Sequence, residues 1–151
     1  QQQTEQGQQA KLALLARDLM SSPVHTLSSD STASEAWTEM TRRSVRHLPV
    51  TSVHGILVGI VSDRDLLRLA PDVTATGQPS RAAQQKLADI MTRRVVSAAP
   101  TTNVRDIARL MLDERIHAIP ILDVHRRLVG ILTMRDLLRG IANHGPLELW
   151  T

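Results

Sequence analysis

The sequence has no cysteine, phenylalanine or tyrosine, and its only large aromatic residues are Trp37 and Trp150. Without cysteine the chain forms no disulfide, no thiol nucleophile and no thiolate metal site. So few aromatic rings argue against a protein that stacks the bases of single-stranded nucleic acid. No hydrophobic run approaches the roughly 18 residues of a membrane span. A flat ligand would therefore have to be held by aliphatic side chains and backbone.

The charge balance also excludes several classes of function. Lys and Arg number 18 against 15 Asp and Glu, so the net charge is +3, too small an excess to indicate a nucleic-acid or membrane partner. The six histidines form no close-spaced ligand set, and no Ser-His-Asp order or paired-acid motif stands out. The 151 residues are 42% hydrophobic, enough for a folded core. We expect a non-catalytic protein without metal or cofactor.

The two ends of the chain differ from its centre. Residues 1–9 are polar and Gln-rich, which predicts a disordered tail or linker, and no signal-peptide pattern follows. A helix is predicted from Ala10, because Leu12, Leu15 and Leu19 fall on one helical stripe. Residues 143–151 are predicted to form a C-terminal tail. The expected location is cytoplasmic.

An internal repeat organises the chain at a constant offset of 71 residues. No gap is needed between residues 18–68 and residues 89–139. The matched pairs include Asp18 with Asp89, Met20 with Met91, Pro49 with Pro120, and the runs 57–60 with 128–131 and 64–68 with 135–139. Chance does not hold one offset through so many matches, so the chain contains two copies of one supersecondary unit.

Each copy predicts the same order of strand, helix, strand, strand and helix. Short extended segments at 24–27 and 95–98 open the copies, and Thr32 and Asn103 begin the first helices as capping boxes. Apolar strands are predicted at 48–51, 57–61, 119–122 and 128–132, joined by turns at His54-Gly55 and His125-Arg126, and the second helices begin at Ser62 and Thr133.

This pattern predicts an α+β fold of two repeats related by a pseudo-two-fold axis, with packed sheets and the helices outside. Repeat one spans residues 10–69 with the N-terminal helix, residues 70–86 form a turn-rich linker, and repeat two spans residues 87–142. One unit of about 50 residues buries too little surface for reliable stability alone. Two copies would share a core, and the grooves between them are natural ligand sites.

The most informative chemistry lies where the last strand of each copy meets its last helix. Ser62 and Asp65 lie in the first helical turn after a buried strand, as do Thr133 and Asp136. The N–H groups of such a turn favour an anion, a hydroxyl can donate to phosphate, and a carboxylate can accept the hydroxyls of a ribose. The same pairs are also plain helix caps. Both interpretations remain open, and one does not exclude the other.

From about residue 18 to residue 140 the chain resembles a tandem of CBS domains, also called a Bateman module, and is most like small bacterial CBS-pair proteins. The resemblance rests on RHLPV and HAIPI, on VHGILVGIV and VHRRLVGIL, and on GIVSDRDLL and GILTMRDLL. It implies a non-catalytic regulatory module that binds AMP, ADP or ATP between its repeats and signals by conformational change. S-adenosylmethionine and NAD are other ligands of the family. The alternative is a ligand-free scaffold for protein interaction or dimerisation.

The resemblance also implies roles for particular residues. It places the ribose on Asp65 and Asp136, with the phosphates near Ser62 and Thr133. It also brings phosphates to the basic residues before the second strand of each copy, and the adenine to the opening segments. These residues are Arg46, His47 and His117 for the phosphates, and Val24, Thr26, Val95 and Ser97 for the adenine. Ordinary solvated loops and core edges are the alternatives.

Two further expectations concern charge and assembly. Arg64 and Arg135 precede the motif aspartates and either reach phosphate or line a solvated helix face. The first copy has Asp63 and Arg46 at the positions where the second has Met134 and His117. We therefore expect the two copies to bind a ligand with unequal affinities. Apolar residues on the last helices (Leu66, Leu67, Leu137 and Leu138) predict a homodimer. The effector protein or domain remains unknown.

Overall fold

The computed structural model describes residues 14–69 and 80–144, and packing divides them into two compact units. The first-repeat unit comprises residues 25–69 and 80–95, and the second-repeat unit comprises residues 14–24 and 96–144. The predicted N-terminal tail, most of the linker and most of the C-terminal tail lie outside the described residues.

The secondary structure follows the predicted order closely. In chain order the elements are α1 (Ala16–Leu19), β1 (Leu27–Ser28), α2 (Ala33–Arg43), β2 (His47–Thr51), β3 (Leu57–Ser62), α3 (Asp63–Leu69), a 3₁₀ turn (Leu87–Asp89), α4 (Val104–Glu114), β4 (Ala118–Leu122), β5 (Leu128–Thr133) and α5 (Met134–His144). The mixed helix and strand content confirms the α+β class. Between the repeats, Leu87–Asp89 forms only the short 3₁₀ turn.

The strands form one small sheet in each unit. β2 and β3 pair antiparallel with Pro49 opposite Ile60, and β4 and β5 pair in the equivalent register with Pro120 opposite Ile131. β1 adds a parallel strand beside β2. The opening segment of the second copy pairs in the same sense but is shorter, because residue Ala98 makes an isolated parallel bridge with Ile121 of β4. Both predicted hairpins are confirmed.

The turns of the two hairpins close in the same way, with a different side chain as the acceptor. In the β2–β3 turn, Gly55 adopts a φ of 78°, where a side chain would be strained. In the β4–β5 turn, Asp123 accepts the backbone N–H groups of Arg127 at 2.9 Å and His125 at 2.8 Å. The bond from the Arg127 N–H lowers the pKa of the Asp123 carboxyl below its usual value. In the β2–β3 turn the Ser52 hydroxyl accepts the equivalent N–H groups, of His54 at 3.2 Å and Ile56 at 3.3 Å, and in the β4–β5 turn Arg126 has a positive φ of 63° like Gly55. A serine hydroxyl therefore closes one turn and an aspartate carboxylate closes the other.

One of the two predicted capping boxes forms as predicted, and the other forms with a different partner. Thr32 accepts the backbone N–H of Glu35 at 3.1 Å, and its hydroxyl lies 3.3 Å from the Glu35 carboxylate, as predicted. Asn103 instead accepts the N–H of Arg105 at 2.8 Å, so the predicted partnership with Asp106 is wrong. An amide side chain reaches the second helical N–H equally well, and either contact satisfies one free donor of the helix end.

Each unit has its own hydrophobic core. In the first-repeat unit the fully buried side chains include Val50, Val61, Leu66 and Leu87; in the second they include Ile107, Ile119, Ile121 and Leu132. The apolar faces of α2 and α4 pack into these cores, with Trp37 and Ala108 only half-buried beside them.

The expectation that four leucines form an outer apolar face is wrong for two of them. Leu66 is 0% exposed and Leu137 is 9% exposed, so both belong to the cores. Their neighbours Leu67 and Leu138 are 40% and 62% exposed. Adjacent residues on a helix point about 100° apart, so one leucine of each pair must turn away from the core.

The segment before each repeat packs onto the other repeat. Residues around Met91 belong to the first-repeat unit, where Thr92 and Ile60 exchange backbone hydrogen bonds of 2.9 and 3.1 Å. Residues around Met20 belong to the second-repeat unit, where Ser21 and Ile131 exchange equivalent bonds of 2.9 and 3.1 Å. The sequence assigned the N-terminal helix to the first repeat, yet α1 packs with the second.

Two glycines accept this packing. A Cβ on Gly59 would lie 2.5 Å from the Met91 sulfur and 3.0 Å from the Thr92 carbonyl oxygen. A Cβ on Gly130 would likewise lie too close to the Met20 side chain. The sequence suggested that these glycines allow close approach of backbone or ligand. In the structure the neighbour is a methionine of the segment that precedes the other repeat. We call these segments, residues 20–21 and 91–92, the exchanged segments.

Candidate functional site

The first candidate site is the turn between β3 and α3. The Asp65 carboxylate accepts the backbone N–H of Ser62 through Oδ2 at 3.0 Å, and the Ser62 hydroxyl accepts the N–H of Asp65 at 3.1 Å. The two residues therefore cap each other reciprocally across the start of the helix. The Asp65 side chain remains 20% exposed. The cap predicted from the sequence is present, with the carboxylate still accessible.

The second candidate site is the equivalent turn between β5 and α5. Asp136 Oδ2 accepts both the backbone N–H of Thr133 at 2.9 Å and its hydroxyl at 3.0 Å, and the hydroxyl accepts the N–H of Asp136 at 3.2 Å. Only 6% of Asp136 is exposed. A carboxylate this buried requires such partners, since an unpaired buried charge is costly.

In both turns one carboxylate oxygen is held firmly and the other loosely. Oδ2 serves the cap, whereas Oδ1 of Asp65 lies 3.6 Å from Arg68, and Oδ1 of Asp136 lies 3.5 Å from both Arg139 and the Ser21 hydroxyl. Separations of this length are poor hydrogen bonds. The Oδ1 atoms are therefore the acceptors that a ligand hydroxyl could use without breaking the cap.

The cap hydroxyls differ in what they can donate. The single proton of the Thr133 hydroxyl is directed at Asp136 Oδ2. The Ser62 hydroxyl accepts from Asp65 N–H, and its proton is directed at no carboxylate in the described part of the chain. A hydroxyl has one proton to give. Donation to a phosphate, expected from both residues, is therefore open to Ser62 but requires Thr133 to release Asp136.

The basic residues predicted beside the phosphates do lie next to these turns. The carbonyl of Arg46 accepts the N–H of Asp63 at 2.9 Å, and the carbonyl of His117 accepts the N–H of Met134 at the same distance. His47 stands directly opposite Ser62 in the β2–β3 pairing. The Arg46 and His117 side chains are exposed and His47 is half-buried.

Other predicted contacts are less closely tied to the turns. Arg64 and Arg135 are exposed on the first turns of α3 and α5, beside the motif aspartates. The residues proposed for adenine lie in irregular backbone: Val24 and Val95 are half-buried, and Thr26 and Ser97 are exposed. Their roles in ligand binding stay predictions.

Two site residues escaped the sequence reasoning. Ser21 lies in the exchanged segment and its hydroxyl points to Asp136 Oδ1. Thr92 holds the corresponding place in the other unit, where its backbone pairs with Ile60 just before Ser62. The signal was present, because Ser21 and Thr92 are related by the same 71-residue offset and both follow a repeated Met. Only the folded chain shows that they meet the opposite repeat.

The described residues offer little support for other site classes. Across residues 14–69 and 80–144, no group of three His, Asp or Glu side chains is placed to hold a metal ion. Nor is any helix in these ranges long and apolar enough to cross a membrane. The carboxylate of Glu39, whose pKa is lowered by hydrogen bonds from Arg42 and Arg43, lies on α2 and is part of neither turn.

Curated relatives of this chain include both short and long proteins. It is 34% identical over 121 residues to the CBS domain-containing protein YhcV of Bacillus subtilis, covering 80% of this chain and 81% of the relative. It is 33% identical over 135 residues to inosine-5'-monophosphate dehydrogenase of Methanocaldococcus jannaschii, covering 89% of this chain. The chain spans about a quarter of that dehydrogenase.

Two solved structures show the same fold. The CBS domain pair of protein MJ0100, in complex with 5'-methylthioadenosine and S-adenosyl-L-methionine, has a TM-score of 0.74 and 30% identity, covering 87% of this chain and 98% of that one. CBSX2 in complex with AMP, a protein known from Arabidopsis thaliana, has a TM-score of 0.71 and 27% identity, covering 85% and 96%. The pattern of the CBS domain itself matches residues 16–72 and 87–143. This chain therefore belongs to the CBS domain family and carries two CBS domains in tandem.

Proposed function

We propose that the chain is a regulatory module that senses adenosine nucleotides of the AMP, ADP or ATP type and has no catalytic activity. The observation that carries the proposal is the pair of equivalent turns, each presenting one loosely held Oδ1 atom on Asp65 or Asp136. Structural relatives in complex with AMP, and with S-adenosyl-L-methionine and 5'-methylthioadenosine, support an adenosine compound as the ligand.

The geometry suggests how binding would become a signal. A ribose hydroxyl that donates to Asp136 Oδ1 would replace the weak contacts of Ser21 and Arg139 with a stronger, charge-assisted hydrogen bond. Ser21 belongs to the exchanged segment and Arg139 is an exposed residue of α5. A ligand shifts a conformational equilibrium only through different affinities for its two states. The difference in affinity between the two conformations would arise at the contacts of Ser21 and Arg139.

Calorimetric titration tests the proposal directly. We expect the intact protein to bind AMP or ATP with a Kd below about 1 mM, which corresponds to roughly 4 kcal/mol of binding free energy. S-adenosylmethionine and NAD are titrated in parallel to rank the ligand classes. Flat traces for all four compounds at millimolar concentration, with circular dichroism showing a folded protein, would contradict nucleotide sensing.

The alternative is a ligand-free scaffold in which Asp65 and Asp136 are only helix caps. Their cap bonds to Ser62 and Thr133 give this alternative its support. It differs from the sensor in one measurable respect. A scaffold would bind no nucleotide, and changes at the two aspartates would alter its stability alone.

A homodimer is part of the proposal and rests on the outer face of α4 and α5. Leu112 is 74% exposed, Leu138 is 62% exposed, and both line an apolar groove with Met111 and Ile141. Apolar surface of this kind is typical of an interface. We expect light scattering to give a dimer mass, and Leu138→Glu to give a monomer at micromolar concentration. Val124→Glu, at a 92% exposed turn position, should remain dimeric. A monomeric unmodified protein would contradict this assembly.

We also propose a cytoplasmic location, where a sensor of adenosine nucleotides would meet its ligand. The effector is proposed to be a separate protein or domain whose activity responds to the ligand. The long relatives of this chain include enzymes, which accords with a module that regulates an activity outside itself.

A further inference from the structure

The two candidate sites have equivalent backbone hydrogen bonds and differ in the charge of one side chain in the turn. Asp63 donates its N–H to the Arg46 carbonyl, and Met134 donates its N–H to the His117 carbonyl, both at 2.9 Å. Each residue directly follows the cap hydroxyl of its turn. The side chains at these positions therefore start from equivalent points, one as a carboxylate and the other as a neutral thioether.

The Asp63 carboxylate is fixed in place by the backbone. Its Oδ1 accepts the N–H of Arg64 at 2.8 Å, and the residue is half-buried. The negative charge thus lies on the turn that carries Ser62 and Asp65, where a second carboxylate is already present. In the other turn Met134 is 38% exposed and carries no charge.

Arginines near the two turns do not cancel this difference. Arg46 adjoins the first turn through its backbone carbonyl, Arg64 and Arg68 lie on α3, and Arg135 and Arg139 lie on α5. Arg46 is the extra cation of the first turn, and its side chain is exposed. Exposed, mobile charges are screened by water and salt, whereas a carboxylate bonded to the backbone keeps its position.

We propose that residue 63 and its counterpart 134 select ligands by charge. This inference rests on the proposed function. The Asp65 site takes adenosine compounds whose 5'-substituent is uncharged or cationic, because Asp63 repels a 5'-phosphate. The Asp136 site accepts 5'-phosphorylated adenosine, because Met134 removes that repulsion. One chain thereby responds to two chemical classes of adenosine compound.

The test isolates each site and changes the charge at equal size. In an Asp136→Asn background only the Asp65 site binds, and the additional change Asp63→Asn removes the charge while keeping an acceptor for the Arg64 N–H. AMP and adenosine are titrated against both proteins by calorimetry. We expect Asp63→Asn to tighten AMP about tenfold relative to adenosine, equivalent to about 1.4 kcal/mol. The gain should shrink in 0.5 M salt, roughly as Debye screening requires.

The reciprocal change provides the matched control. In an Asp65→Asn background, Met134→Asp is expected to weaken AMP about tenfold relative to adenosine at the remaining site. Met134→Asn introduces a side chain of the same size as Asp but without its charge, and it should leave the AMP-to-adenosine ratio unchanged. Circular dichroism and thermal melts verify that each protein is folded.

The outcomes separate this inference from the proposed function. If the unmodified protein binds neither AMP nor adenosine, both are overturned. If it binds them and the AMP-to-adenosine ratio stays within twofold after both exchanges, charge selection is overturned and nucleotide binding stands. A shift that Met134→Asn reproduces would assign the effect to side-chain shape and also overturn the inference.

Discussion

Replacing Asp65 and Asp136 together with Asn is expected to abolish detectable binding of AMP and ATP. Each change removes the charge of the Oδ1 acceptor that we assign to a ribose hydroxyl, while Asn still offers the cap an oxygen for the N–H of Ser62 or Thr133. A hydrogen bond to a charged group is worth about 1.5–3 kcal/mol. The Kd at each site should therefore rise roughly 10- to 150-fold.

The controls for this prediction use the same chemical change. Asp106→Asn alters an exposed aspartate of α4 outside both turns and should leave the Kd unchanged. With adenosine, which lacks the phosphate that Asp63 repels, the single variants Asp65→Asn and Asp136→Asn should each remove one of two binding events in the calorimetric trace. Full nucleotide binding by the folded double variant would contradict the assignment of the two Oδ1 atoms to ribose hydroxyls.

Leu66→Ala is expected to destabilise the protein by about 2–5 kcal/mol, the usual range for truncating a leucine in a packed core. Leu66 is fully buried in the core of the first-repeat unit. The loss combines the transfer free energy of the missing carbons with the cost of the cavity they leave. Chemical denaturation followed by circular dichroism measures the free energy of unfolding.

The adjacent residue supplies the matched control. Leu67 lies on the same helix and is 40% exposed, so Leu67→Ala should cost less than about 1 kcal/mol. Comparing the two variants also tests where each leucine lies, because the sequence analysis had placed both Leu66 and Leu67 on an outer apolar face. Equal losses for the two variants, or a larger loss for Leu67→Ala, would contradict the assignment of Leu66 to the core.

Secondary structure was predictable because its signals are local. Short apolar runs and the turns at His54-Gly55 and His125-Arg126 placed the hairpins, and the capping box at Thr32 placed the start of α2. The internal repeat then transferred each assignment from one copy to the other. The assignment did not carry over at Asn103, whose side chain caps Arg105 and not the residue three positions on.

The candidate site was predictable only in part. Its caps follow from residues three apart in sequence, so Ser62 with Asp65 and Thr133 with Asp136 could be paired before any coordinates. Ser21 lies 115 residues from Asp136, and no local pattern brings them together. Long-range contacts of this kind depend on which surfaces bury each other.

By itself the sequence determined the two CBS repeats, their α+β elements and the two capped aspartates, because a fixed offset and short-range hydrogen bonds are written directly in the residue order. The tertiary structure alone decided that each leading segment packs on the other repeat, and which leucine of each pair is buried. It also decided that only one oxygen of each motif aspartate is loosely held. Side-chain packing and bond lengths arise only when distant segments meet, and they set which polar atoms remain for a ligand.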